Sequence, residues 1–366
     1  MGTYTKADLI KMWKRDPARQ YNIATTKIIE AIEKTKGEIV ICFSGGKDST
    51  LLLDMYCEII KNTRYNKPVK VCFADTTNET RAMYDFIDYF ISYIKEKYGV
   101  AIDFCVVKPK ITWAQYVLQH GIPLISKEQS KAIYSVKSDM VKTGCDYETV
   151  RRLARPEKRC VEELFDIGFS KTGVLSLTGF VSSTETFGRR FILSKRWLPM
   201  IACEIPLNHL CCFHIKEQPL KAITAPARMT GEQAMESKNR ESAYLKTGCN
   251  YYDKNGGYVS KPFGPMTSDG ILYSLKYRNT PICADYGDIL NAGDRYFCSK
   301  SNRTGCSLCG FGCQYDIYRF MRLQETEPAK IKFAFKPKDG GGCGYYEAIS
   351  YMNEYCGTNV KIPQIL

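Results

Sequence analysis

The sequence predicts an α/β fold in which helices cover both faces of a parallel, twisted sheet, and three observations carry that expectation. An apolar, β-branched run at 38–43 and further strand-like runs at 69–74 and 102–107 alternate with stretches of helical period, the pattern of strands layered between helices. The stretch from Arg81 to Tyr98 has the length of a crossover helix joining the second run to the third. A glycine-rich turn follows the first run directly, at the strand end where such sheets take their ligands.

Each element has its own signal. Ile23 to Lys36 places Ile23, Ile28, Ile29 and Ile32 on one face, which predicts an amphipathic helix leading into the first strand. That strand, Glu38–Phe43, runs into Ser44-Gly45-Gly46-Lys47-Asp48-Ser49-Thr50, and Leu51 to Tyr56 continue at helical spacing. Two glycines at a strand-to-helix turn let backbone N–H groups approach a phosphate, while the helix start and Lys47 add positive potential. Ser44, Ser49 and Thr50 bring hydroxyl donors. A Walker loop has four residues between its first Gly and Gly-Lys, whereas Gly45 adjoins Gly46-Lys47, so the spacing is a different one. The second strand, Val69–Ala74, ends in Asp75-Thr76-Thr77-Asn78-Glu79, placing those polar groups at the same edge of the sheet. The third strand is Ile102–Val107.

Bulk properties narrow the class. At 366 residues the chain can bury a large core, and no apolar stretch approaches the ~20 residues needed to span a bilayer. The start, Met1 to Lys6, lacks an apolar signal core, and Lys6 stands where a myristoylation pattern needs Ser or Thr. The expectation is a cytoplasmic protein with no membrane partner. Seventeen cysteines without an export signal read as metal ligands more readily than as disulfides. Lys and Arg outnumber Asp and Glu by 52 to 39, which favours anionic partners such as nucleotides, sulfonucleotides or nucleic acid.

Four regions follow from these patterns: a nucleotide-binding core over 1–126, a basic insertion over 127–200, the rest of the core with a cysteine constellation over 201–330, and a C-terminal tail over 331–366. The insertion holds fourteen Lys and Arg against nine Asp and Glu. Its tip, Phe187-Gly188-Arg189-Arg190-Phe191, and the run Lys195-Arg196-Trp197 interleave cations with aromatics, as surfaces that grip a nucleic-acid strand do. A solvated surface insertion has the same composition.

Cys211-Cys212-Phe213-His214-Ile215-Lys216-Glu217-Gln218-Pro219 and, far downstream, Cys306-Ser307-Leu308-Cys309 with Cys313 form the second strong signal. A C-x-x-C turn brings two sulfurs to one centre, and four thiolates complete a [4Fe–4S] cluster. An adjacent Cys-Cys pair suits a zinc ribbon poorly. Of the three histidines, His120, His209 and His214, His214 lies inside the motif, where a packed ring is the simpler reading than a ligand.

The turn Ser44 to Ser49 resembles the PP-loop of the ATP pyrophosphatase superfamily, and the cysteine pattern is similar to that of adenylylsulfate reductases in the phosphoadenosine phosphosulfate (PAPS) reductase family. The resemblance implies an adenine nucleotide alpha hydrolase-like sheet with an iron–sulfur-bearing C-terminal part. It carries over Cys211, Cys212, Cys306 and Cys309 as cluster ligands and Lys216 as a nearby cation, and it leaves Cys313 as a substitute ligand or sulfur carrier. Asp75, Thr76 and Glu79 match the family's second-strand motif. Thr230 to Ser237, with Gly231, Glu236, Ser237 and Arg240, match its Gly-x-Arg-x-x-Glu-Ser segment, with Gln233 standing where the family has Arg.

Two departures shape the expected reaction. Lys47 and Asp48 are intact, as an enzyme cleaving ATP with Mg²⁺ requires, and the reductases' C-terminal Glu-Cys-Gly-Leu-His nucleophile motif is missing. The resemblance therefore implies an ATP-consuming sulfur-transfer enzyme akin to those of DNA phosphorothioation, with nucleic acid as one acceptor and a separate sulfur donor. The rival expectation is a sulfonucleotide reductase with a thioredoxin-like partner, whose thiolate would be Cys343 or Cys356 on a mobile tail. The third is a nucleotide- or nucleic-acid-binding protein without catalysis.

Overall fold

The computed structural model describes residues 4–65, 67–180, 192–221, 223, 225–293 and 295–364. In chain order its main elements are α1 (Lys6–Trp13), α2 (Pro17–Thr35), β1 (Val40–Phe43), α3 (Lys47–Lys61), β2 (Val69–Ala74), α4 (Arg81–Tyr98) and β3 (Ile102–Val107). Next come α5 (Trp113–His120), α6 (Lys127–Thr143), α7 (Tyr147–Leu153), α8 (Lys158–Ile167), α9 (Lys171–Thr178) and α10 (Gln218–Leu220). The chain continues with β4 (Ala227–Met229), α11 (Lys238–Thr247), β5 (Asn250–Tyr252), β6 (Tyr258–Ser260), α12 (Ser268–Tyr277), β7 (Ile289–Ala292) and β8 (Arg295–Cys298). It ends with α13 (Arg319–Thr326), α14 (Pro328–Phe335) and α15 (Tyr345–Cys356).

β2, α4 and β3 coincide with the runs read from sequence, and α4 is bounded by Thr80, whose side chain accepts from the Met83 amide, and by Gly99 in the left-handed region. The amphipathic helix begins at Pro17, earlier than its apolar stripe, because the Asp16 side chain accepts from the Arg19 amide and Pro17 occupies the first turn. The first strand is shorter than its apolar run and starts at Val40.

The chain divides into two compact units, one of residues 1–109 and 218–306, the other of 110–217 and 307–366. The first unit holds a six-stranded, mostly parallel sheet in the order β3-β2-β1-β4-β6-β5, with helices flanking it and only β5 antiparallel. The register sets Cys42 beside Cys72 and Cys72 beside Cys105. Ile41, Phe43, Val71 and Phe73 share one core with Leu51, Leu52, Met55, Phe90 and Ile94 of α3 and α4, each large side chain contributing about 1.5–3 kcal/mol by leaving water. Asp54 of α3 is fully buried in that layer. It accepts from Arg278 at 2.5 Å, Thr280 at 2.7 Å, Tyr98 at 2.8 Å and Lys97 at 3.0 Å, tying α3 to α4 and to the segment after α12.

The second unit is helical around a separate core that includes Trp113, Ile133, Val136, Leu164, Val174, Trp197, Phe320, Phe335, Tyr345 and Ile349. The described part of 127–200 supplies α6 to α9 to that core, and 331–366 supplies most of α14 and all of α15. The tip Phe187–Phe191 lies outside the described residues. In the neighbouring basic run, Trp197 is buried and the Arg196 guanidinium donates to the carbonyls of Cys356 and Gly357 at 2.9 and 3.0 Å. That ring therefore packs inward and is not presented for stacking on a base.

Candidate functional site

β1 has β2 on one side and β4 on the other, so the strand order reverses across the β1–β4 gap. Ligands of open α/β sheets bind beyond the carboxyl ends of the strands at such a reversal. The two loops that leave this gap are Ser44–Gly46 after β1 and Thr230–Gln233 after β4. They are the same two segments that sequence singled out.

Local chemistry fixes the first loop. Gly45 has φ +69°, in the left-handed region, and a Cβ there would meet the Met83 sulfur at 2.3 Å. Gly46 caps α3 without a side-chain hydrogen bond. Ser49 Oγ accepts from the Ser44 amide at 3.1 Å and donates to the Gly46 carbonyl at 2.9 Å, while Thr50, fully buried, donates to the Gly45 carbonyl at 3.3 Å. Thr50 thus shapes the loop, whereas Ser44 Oγ, 3.1 Å from Ser49 Oγ, is half-buried at its mouth. The Lys47 amide donates to the Tyr286 hydroxyl at 3.1 Å, and that hydroxyl pairs with Thr304 at 2.7 Å. Burial raises the Tyr286 phenol well above its ordinary range, so it stays protonated.

The loop after β4 clamps the first turn of α3. A Cβ on Gly231 would lie 2.9 Å from the Asp48 carbonyl oxygen and 3.2 Å from the Ser49 amide; only glycine lets these backbones meet. Gln233, almost fully buried, donates its Nε2 to Asp48 Oδ1 at 2.5 Å, and Lys47 Nζ holds the same carboxylate at 3.0 Å. Glu236 pairs with Arg240 and, at 3.0 Å, with Arg303, while Glu232 pairs with Lys261 at 2.7 Å. Ser237 Oγ caps α11 by accepting from the Arg240 amide.

The loop after β2 is equally built. Asp75, Thr76, Asn78 and Glu79 are buried, and Thr77 adopts φ +60°. Asp75 accepts from the Thr77 amide and the Tyr84 hydroxyl, each at 2.7 Å, and pairs with Lys108 at 3.2 Å. Thr76 donates to Glu79 at 2.7 Å. A polar loop this closely bonded presents a fixed surface to whatever binds the strand ends.

In the helical unit, Cys211 and Cys212 lead into the π-helical turn Phe213–Glu217, which carries Lys216; such turns recur at functional sites. The rings of His214 and His120 both lie against Tyr116, so His214 is packed, as expected. Burial raises the Cys309 thiol, with Arg319 and Cys212 near it, and Cys313 lies near Cys309 and Arg319. The buried Tyr345, whose hydroxyl donates to the Leu308 carbonyl at 2.6 Å, has Cys309, Cys343, Cys211 and Cys313 as electrostatic neighbours. Burial pushes the Cys313 thiol up to about 12, against the pull of Arg319. The boundary between the two units falls between Cys306 and Ser307, inside the C-x-x-C turn. Among the described residues no group of three or more His, Cys, Asp or Glu stands at metal-holding spacing. The donor type nevertheless suits an iron–sulfur centre, which takes soft thiolate ligands.

Sequence reasoning missed Tyr286 and Thr304, which lie 239 and 257 positions beyond Lys47 in no motif, and Tyr84 and Lys108 beside Asp75. Their only signal is the fold itself. The buried thiols Cys343 and Cys356, raised by burial to about 12 and about 11, sit before and at the end of α15 instead of on a mobile tail.

Residues 38–179 match the family model described as phosphoadenosine phosphosulfate reductase domain, a segment that contains β1 to β3 and both of the loops that follow β1 and β2. The matched segment covers less than half of the chain, and what it supports is a likeness to the PAPS reductase family. Among solved structures the chain is similar to the phosphate complex of phosphoadenylyl-sulfate (PAPS) reductase from Candida auris, at 12% identity and a TM-score of 0.33, covering 77% of this chain and 91% of that one. No curated protein matches the chain. No described helix is long and apolar enough to cross a membrane.

Proposed function

We propose that the chain is a PAPS reductase-family PP-loop enzyme that cleaves ATP to AMP and pyrophosphate and so activates an acceptor for sulfur transfer. The observation that carries this reading is the complete loop Ser44–Ser49, with Lys47 and Asp48 intact, at the β1–β4 reversal and clamped there by Gly231. Backbone groups of the loop, Ser44 and Lys47 grip the departing pyrophosphate, and Lys47 neutralises charge as the α–β bond breaks. The Asp48 carboxylate is a hard oxygen donor suited to Mg²⁺, and Gln233 sets its orientation. Glu236, Ser237 and Arg240, with Asp75, Thr76 and Glu79, shape the nucleotide's surroundings at the strand ends. An acceptor oxygen attacks the α phosphorus, the bridging oxygen leaves with pyrophosphate, and the adenylated acceptor becomes open to displacement of AMP by sulfur. Positioning and fixed charge do this work without an imidazole base.

Cys211, Cys212, Cys306 and Cys309 would hold a [4Fe–4S] cluster, with Cys313 a further thiol and Lys216 a nearby cation. When bound, such a cluster supplies sulfur or electrons to the transfer. Nucleic acid is the acceptor class that the positive chain attracts, with a separate sulfur donor. The test is anaerobic incubation of cluster-loaded protein with ATP and identification of every nucleotide product. AMP and pyrophosphate should form, and Lys47→Ala should lower their rate at least ~100-fold.

The reductase reading draws on the matched family's description and predicts sulfite release from adenylylsulfate or PAPS. It needs an accessible thiolate, and burial of Cys343 and Cys356 opposes one. Sulfite production without AMP from ATP would replace the first reading with this one.

A further inference from the structure

Three cysteines outside the machinery described above stand in one row across three neighbouring strands: Cys42 on β1, Cys72 on β2 and Cys105 on β3 are direct register partners. Parallel neighbours point to the same face, with strands about 4.7–4.9 Å apart. That separation lies inside the Cα···Cα range of about 4.4–6.8 Å that a disulfide bridges. Cys105 is exposed and Cys72 almost fully buried. On the same face, the pair one row back is Lys70 and Asp103 and the pair one row ahead is Ala74 and Val107, so apart from Cys42 the groups bordering the two sulfurs along their own strands are one cation, one carboxylate and two small or apolar side chains.

We propose that Cys105 and Cys72 form a reversible thiol–disulfide modification site in which Cys105 meets a low-molecular-weight disulfide such as oxidised glutathione and Cys72 resolves the adduct. The inference does not rest on the nucleotide reading. Cys105 loses its proton to water and attacks one sulfur of the reagent; the reagent's S–S bond breaks, and half of it departs as a thiolate that takes up a proton. Cys72 then loses its proton, attacks the Cys105 sulfur and expels the second half as a thiol. Two protein thiols are oxidised to one disulfide, and one reagent disulfide is reduced to two thiols.

The order of attack follows from exposure. A bulky reagent reaches Cys105 and not Cys72. Burial, and then the hydrogen bond with Cys105, raises the Cys72 thiol, which makes Cys72 a poor first nucleophile in bulk solvent while keeping it at the neighbouring sulfur. A disulfide between adjacent strands near an exposed edge is of the labile kind that a thiol reverses.

The experiment treats the full chain with oxidised glutathione under native conditions, caps the remaining thiols and maps disulfides by peptide mass spectrometry. The expected product is a Cys72–Cys105 cross-link with no glutathione retained on Cys105, reversed by dithiothreitol and unchanged in Cys42→Ser. Cys72→Ser should accumulate stable glutathione on Cys105, and Cys105→Ser should lose both products. A native protein in which Cys105 stays unmodified, keeps its glutathione while Cys72 is capped as a free thiol, or cross-links elsewhere overturns the proposal. The native-protein result decides even where Cys72→Ser folds poorly.

Discussion

Asp54 shows what a single residue carries. Burial opposes its charge, but Arg278 foremost, with Thr280 and Lys97, outweighs that cost and holds the carboxyl below its ordinary value. Because the folded state binds the proton more weakly than the unfolded one, this contribution is full above an unfolded value near 4 and is lost as pH falls through the lower folded value. Asp54→Asn should therefore flatten the acid limb of a stability–pH curve below about pH 4, measured by urea titration at several pH values. Arg278→Met leaves Asp54 and Glu58 without their guanidinium and should cost about 3–5 kcal/mol by the same assay. At the reversal, Gly231→Ala places a methyl group 2.9 Å from the Asp48 carbonyl. ATP affinity should fall about tenfold, or ~1.4 kcal/mol, by calorimetric titration, and an unchanged affinity would remove the clamp from the site.

Elements that a period defines were legible in the sequence, and elements that a contact defines were not. β2 and β3 announce themselves as short apolar-rich runs, and α4 through its length and helical period. The start of α2 rests on one capping bond, so Asp16→Ala should cost about 1 kcal/mol and fray Pro17–Asn22, seen as faster amide exchange there. The loop before α3 was readable because its glycines and hydroxyls are contiguous. Its anchor at Tyr286 was not, because nothing local marks a hydroxyl that closes a turn 239 residues away. Tyr286→Phe should loosen that turn by about 1 kcal/mol, read as a fall in denaturation midpoint. Gln233, which stands where the family has Arg, donates to Asp48 in the structure.

Over the whole molecule, composition pointed to an anion-binding protein but not to how the chain is partitioned. The first unit draws on two stretches of sequence separated by the 110–217 segment of the second, an arrangement invisible to any local pattern. The same partition explains the terminal thiols: Cys343 and Cys356 lie in a helical core with Phe335, Tyr345 and Met352. Iodoacetamide should therefore label both far more slowly than the exposed Cys105 in the native protein. Labelling of Cys343 as fast as Cys105 would restore the reductase reading. For nucleic acid, the excess of 13 positive charges predicts affinity that falls steeply as salt rises, measured by filter binding across a salt series.

The position of β4 has a consequence for synthesis. The loop at 44–50 emerges early, yet its facing wall at Thr230–Gln233 is translated some 180 residues later, roughly 10–35 s at ribosomal speed. Through that interval β1 has β2 on one side and an unsatisfied edge on the other, a ready template for mispairing. A nascent chain stalled before residue 227 should thus hold half a cleft, bind nucleotide weakly if at all, and recruit chaperones until the last parallel neighbour arrives.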